Sequence, residues 1–229
     1  MRTVPMQIRS VTGLAAFLAL IGSPTPADLH AQASGNGPAV VPREEAYLDS
    51  AAPLGSSPPH WTIEEGADRA LSVHFAASPA SRPELWEAVN WALERWADVP
   101  GLPFRFRVTA SSESADIRFL WIEAFDDARS GSTDWHVDAD GSLAGVTVTL
   151  ALRHADSLDM SAEFLRLVAL HELGHALGLP HSEDPGDVMH PGNRNSALSL
   201  RDVRTIQQLY GVEARLGPAT PGSSDESRR

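Results

Sequence analysis

Residues 171–181 read HELGHALGLPH. His171 and His175 lie four residues apart, and on a helix that spacing puts both imidazoles on one face, where they can grip a single ion. Glu172 projects about a quarter-turn away, close enough to reach a water on that ion without ligating it. Gly178 permits the positive φ that ends a helix. Pro180 blocks its continuation, so the chain turns back and delivers His181 as a third nitrogen. Three imidazoles leave one position of a tetrahedral ion open to water, the arrangement of a catalytic rather than a structural zinc. Zinc lowers the pKa of such a water from ~16 towards ~7, and Glu172 is placed to take its proton during attack on a peptide carbonyl. The five fixed positions arise by chance about once in a few million starts. The preceding FLRLVAL (164–170) is nearly all apolar, so the helix is buried, and a buried glutamate needs a reason to be there.

Eight residues past His181 stands Met189, within DVMHP (187–191). A methionine after a turn can place its thioether beneath three imidazoles as an apolar floor. With the histidines it matches the Met-turn of the metzincins. HELGHALGLPHSEDPGDVMHP (171–191) resembles the active-site segment of the matrixins, the matrix-metalloproteinase-like branch, and Ser182 directly after the third histidine resembles that branch in particular. LSLRDVRTIQQLYG (198–211) is similar to the closing helix of matrixin catalytic domains, and WALERWADVPGLPFRFRVTASSESADIRF (91–119) to their first helix and following strands.

The resemblance covers about 65–211. It implies an α+β metzincin (zincin-like) catalytic domain, with a five-stranded, mostly parallel twisted sheet and three helices. It also implies an endopeptidase with an edge strand above a substrate cleft. By it, His171, His175 and His181 bind zinc, Glu172 is the base and Met189 the floor. Pro191 and its neighbours line the pocket for the side chain after the scissile bond. Residues 144–150, Ala144, Gly145 and Val146 among them, supply the edge strand that pairs with an extended peptide.

The chain departs from the vertebrate pattern and is closer to a bacterial type. Vertebrate matrixins cap their zinc with a pro-segment cysteine, and this chain has no Cys. Related astacins use an aspartate for that task, and Asp49 is the candidate here. The His-Gly-Asp stretch of a second, structural zinc is missing, and Gly145 stands where one of its histidines is due. His136, Asp138, Asp140 and His154 remain as ligand types, with a solvated loop as the plainer reading. Asp126, Asp127, Asp134, Asp138 and Asp140 suit calcium better than zinc, so one zinc per chain is expected, with Ca2+ the ion for the loop if it binds any.

Outward from the motif, 161–177 reads as a buried helix and 199–210 as a last helix, with Ser199 and Asp202 at capping-box spacing. Upstream, 82–97 is a helix with Leu85, Trp86, Val89, Leu93 and Trp96 on its apolar face. Strands are expected at 71–76, 104–109, 117–122 and 143–152, and 126–141 reads as an acidic loop. The peptidase domain is thus 61–212, followed by a disordered tail at 213–229. The Pro-, Gly- and Ser-rich 34–60 reads as a linker or short pro-segment.

The N-terminus reads as a secretory signal over 1–33. Arg2 and Arg9 precede an apolar run at 11–21, too short to span a bilayer, and Ala31-Gln32-Ala33 forms a cleavage pattern. The protein is therefore expected to be secreted, extracellular or periplasmic, monomeric and free of the membrane after cleavage. Its 229 residues carry a net charge of -12, and all 18 basic residues are Arg. Nucleic acid, which needs a basic stripe, is excluded as a partner, and protein or peptide substrates are expected. Absent cysteine excludes disulfides and thiolate chemistry. The competing function is a catalytically silent, zinc-stabilised module that binds peptides or proteins. Such a module has no use for Glu172, which is present.

Overall fold

The computed structural model describes residues 10–16, 45–48, 58–64, 67–76, 82–154 and 158–212. Arg2, Arg9, the Ala31–Ala33 cleavage pattern, Asp49 and the 213–229 tail lie outside the described residues. Strands β1 (Ser10–Ala16) and β2 (Arg69–Phe75) are followed by helix α1 (Pro83–Ala97), then β3 (Phe104–Val108), β4 (Ile117–Ile122), β5 (Gly131–Val137) and β6 (Leu143–Ala151). Helices α2 (Ala162–Ala176) and α3 (Leu200–Leu209) complete the domain. The domain sheet runs β5-β6-β4-β2-β3. Its pairs are parallel except β5 with β6. This is the five-stranded, mostly parallel sheet with three helices that the resemblance implied. The apolar N-terminal segment β1 adds a sixth strand, antiparallel along the outer edge of β5, with Leu14 opposite Thr133 and Ala16 opposite Gly131.

One face of the sheet carries Leu71, Val73, Ile117, Phe119, Val146, Val148 and Leu150, all buried against α1 and α2. Each contributes about 1.5–3 kcal/mol on leaving water. α1 starts with Pro83, whose fixed φ suits the first helical turn, and buries Leu85, Ala88, Val89, Ala92, Leu93 and Trp96. Trp86, expected on that face, is 41% exposed and meets the ring of Phe75 edge-on at 4.0 Å. The buried face is turned away from Trp86 towards Ala88 and Ala92, small residues that the apolar pattern did not single out. A second cluster of Leu85, Ala88, Ala151, Leu152, Met160 and Leu165 closes one end of the domain.

Two sequence expectations are corrected here. The stretch 126–141 is not wholly a loop, because 131–137 forms β5. Its buried positions include Ser132 and Thr133 rather than aliphatic residues, so no apolar alternation marked the strand. Residues 144–150 do not form an edge either. β6 has β4 on one side and β5 on the other, so the antiparallel edge of the five-stranded sheet belongs to β5, and β1 lies along it. Val146 is core, and Gly145 faces Arg118 and His136.

The stretch read as linker also reaches into the core. Tyr47 and Leu48 are buried, with the Tyr47 hydroxyl donating to Asp202 Oδ1 at 2.9 Å and its amide to Thr205 Oγ1 at 3.1 Å.

Candidate metal centre

Helix α2 is capped by Ser161, whose hydroxyl accepts the Phe164 amide, and runs through the core to end just before Gly178. Gly178 has φ +93, and a side chain there would meet the Pro59 carbonyl at 2.5 Å, so both conformation and space demand glycine. Four aromatic side chains bind carbonyls of this helix and its C-terminus: Trp96 Nε1 to Leu170 O, Trp135 Nε1 to His175 O, Trp61 Nε1 to Ala176 O and the Tyr210 hydroxyl to Leu177 O, at 2.7–2.9 Å. Three of them satisfy carbonyls at the helix end, where partners are otherwise scarce.

The three histidines converge. His175 Nε2 lies 3.1 Å and His181 Nε2 3.3 Å from His171 Nε2. His171 Nδ1 sits 2.8 Å from the Val188 carbonyl and His175 Nδ1 2.7 Å from the Leu179 carbonyl. A carbonyl can only accept, so each Nδ1 carries the proton and each Nε2 presents a lone pair to the shared point. Lone pairs aimed at each other repel unless a cation lies between them. Three nitrogens bound to zinc at ~2.05 Å in a tetrahedral array stand about 3.3 Å apart. The spacing therefore fits zinc. Burial holds His171 down at about 3 and His181 at about 4, and pushes His175 well below its ordinary value, so all three are neutral, as ligands must be. Among the described residues these three form the group of metal-capable side chains brought within reach of one ion. His136 pairs with Gly145 in the sheet, and His154 packs on Phe164 at 4.9 Å. Asp127 is engaged by Arg129, and Asp140 by Ser142.

Glu172 is fully buried beside this centre. Its Oε2 accepts the Thr133 hydroxyl at 2.6 Å, and its Oε1 has no hydrogen-bond partner among the described residues. Burial pushes its carboxyl up to about 8, opposed by the Thr133 hydrogen bond. A nearby divalent cation acts the other way and favours the carboxylate. An orphaned oxygen in a dry site is costly, and a polar occupant of the centre relieves it.

Met189 is buried against Gly174, between the two helical histidines, where a methyl group would overlap its sulfur. The turn is held by carboxylates that the motif did not disclose. Asp202 accepts the amides of Val188 at 2.8 Å and Met189 at 3.4 Å, besides the Ser199 amide of its capping box. Asp187 accepts the hydroxyls of Ser182 and Ser199 and pairs with Arg201. Ser199 and Asp202 were legible as a cap, but their hold on the turn was not, because one carboxylate has two uses. Pro191 follows the turn, half-buried.

Fold and histidine cluster together are those of a domain of the metzincin class. Residues 68–211 match the matrixin family, and the chain belongs to it. It is 35% identical over 142 residues to macrophage metalloelastase of Oryctolagus cuniculus, covering 57% of this chain and 30% of the relative. It is 47% identical over 68 residues to matrilysin of Felis catus, covering 28% and 26%. It is 28% identical over 172 residues to neutrophil collagenase of Homo sapiens, covering 64% and 34%. The chain spans about a third or less of the length of these relatives. No helix among the described residues is long and apolar enough to cross a membrane.

Proposed function

We propose that this chain is a secreted, zinc-dependent endopeptidase in which His171, His175 and His181 hold the ion and Glu172 is the general base. One observation carries the reading: three neutral imidazoles converge on one point, two of them with Nε2 lone pairs fixed towards it, and an oxygen of the buried Glu172 carboxylate lacks a partner among the described residues. Bound there, zinc would acidify a water and polarise the scissile carbonyl. Glu172 Oε1 takes the proton of the attacking water and later passes it to the leaving amine. The outer edge of β5 receives the substrate as an extended antiparallel strand, with Met189 and Pro191 bounding the site. That edge carries β1 in the full chain, and cleavage after Ala33 would remove β1 with the signal and free it. Protein or peptide segments are the substrates, and the mature chain acts as a monomer.

Digestion of a proteome-derived peptide library by purified 34–229 tests the reading. Cleavage should occur and stop on zinc chelation. Glu172→Ala should keep one zinc per chain and its fold but lose activity by ~10²-fold or more, because only proton transfer is removed. Activity within a few-fold of wild type would overturn the mechanism, and zinc binding without any cleavage would favour the silent module. N-terminal sequencing of exported protein should begin at Ser34, and recovery of intact Met1 would overturn the export reading.

A further inference from the structure

We propose that Thr133 is a positioning residue for Glu172: its hydroxyl fixes one carboxylate oxygen so that the other faces the metal centre. The inference rests on the peptidase reading above and deepens it.

The terminal torsion of a glutamate is broad, so packing alone does not orient its carboxylate. In water, solvent averages out the orientation, but Glu172 has no exposed surface. Its orientation is therefore set by whichever donors reach it. Among the described residues one side chain does, Thr133, with Oγ1 2.6 Å from Oε2. The same hydroxyl lies 3.1 Å from the Glu172 main-chain carbonyl. A threonine has a single hydroxyl proton, and the shorter contact takes it. Thr133 is itself buried, and its β-branched side chain is stiff at χ1, so the donor is held in place.

β5 contributes a second feature on the same face. Two residues before Thr133, a Cβ at Gly131 would lie 2.6 Å from both Cγ and Oε1 of Glu172. The strand thus clears space at 131 and supplies a donor at 133, a period-2 relation that only a strand provides. Glu172 passes through the gap with Oε2 tied back to the sheet and Oε1 free. A general base must hold its accepting oxygen within hydrogen-bond reach of the proton it takes. The Thr133 hydroxyl is spent on Glu172, so it acts through that residue.

The test compares Thr133→Val, which keeps shape and removes the donor, with Thr133→Ser, which keeps the donor. With zinc at one per chain in all proteins, Thr133→Val should lower kcat at least ~10-fold and leave KM within ~2-fold, and Thr133→Ser should stay within ~3-fold of wild type. A second readout uses the zinc-free protein. Melting temperatures of wild type, Thr133→Val, Glu172→Ala and the double variant should be non-additive by ~2–4 °C, because the contact exists only when both partners are present. Unchanged kcat in Thr133→Val, even with a lowered melting temperature, would overturn the positioning role and leave only a structural one. Additive melting temperatures would overturn the contact itself. A zinc-loaded wild type that cleaves no peptide would overturn the peptidase reading, and the role of Thr133 in it, while the zinc-free cycle still reported on the contact.

Discussion

Glu172 and the three histidines set opposite demands on protons when zinc is absent. Unfolded, the histidines take up protons near pH 6.5; folded, burial keeps His171 neutral to about 3 and His181 to about 4, with His175 also well below 6.5. Depressed folded values mean stability that is full above pH 6.5 and lost as pH falls towards 4. Glu172 runs the other way. Folded, it holds its proton to about 8, whereas the unfolded chain releases it near 4.5. Its contribution is full below 4.5 and lost as pH rises through 8. Zinc-free protein should therefore melt highest near pH 6.5, with the steeper fall on the acid side, where three groups oppose one. Glu172→Gln should abolish the alkaline fall between pH 6.5 and 8 and keep the acid fall. Melting curves from pH 5 to 8.5 check this, and a wild-type midpoint that climbs from pH 6.5 down to 5 would overturn it. At this scale the clustered histidines and the buried glutamate beside them were legible because the motif places them within eleven residues on one helix and its exit turn. Thr133 and Gly131 were not, because their meeting with Glu172 spans about forty residues and their strand has no apolar signature.

At the scale of elements, α3 does more than close the domain. Its first turn carries Asp202, whose carboxylate collects the amides of Val188, Met189 and Ser199 and the hydroxyl of Tyr47. The Arg201 guanidinium stacks on the Tyr47 ring at 5.5 Å. The 45–48 segment is therefore tied to the helix that holds the turn beneath the histidines. Tyr47→Phe removes one buried hydrogen bond, worth about 1 kcal/mol, and should lower the melting temperature by ~2–4 °C. A chain starting at residue 59 also loses the burial of Tyr47 and Leu48 and should melt lower still than Tyr47→Phe, whereas one starting at residue 44 should melt with 34–229. Equal melting of all of them in thermal denaturation would show that the segment contributes nothing. Activity comparisons meant to detect an inhibitory pro-segment therefore need the 44-start chain, since the shorter one also loses packing. The helices were legible to within a residue or two, α1 and α3 from their apolar periodicity and α2 from its continuous apolar run and the histidine spacing. The polar buried β5 was not, and missing it shifted the substrate edge onto β6.

For the whole molecule, the sheet, the two long helices and the terminal segments meet on a single helix end. Trp61 comes from the segment before the first domain strand, Trp135 from β5, and Tyr210 from the end of α3, and their donors fall on three successive carbonyls, His175, Ala176 and Leu177. Those residues run from the second histidine towards the third. A helix end usually frays on its own, at little free energy. Here it cannot, because fraying would strand the donors of three separate parts of the chain in a dry core. The turn accordingly has no private way to open. Exchange of its amides and attack by a foreign protease on it should both wait on the same rare event, the disassembly of the domain as a unit. The endurance of this turn then follows a shared clock, set by the rate of global unfolding rather than by the strength of any one bond.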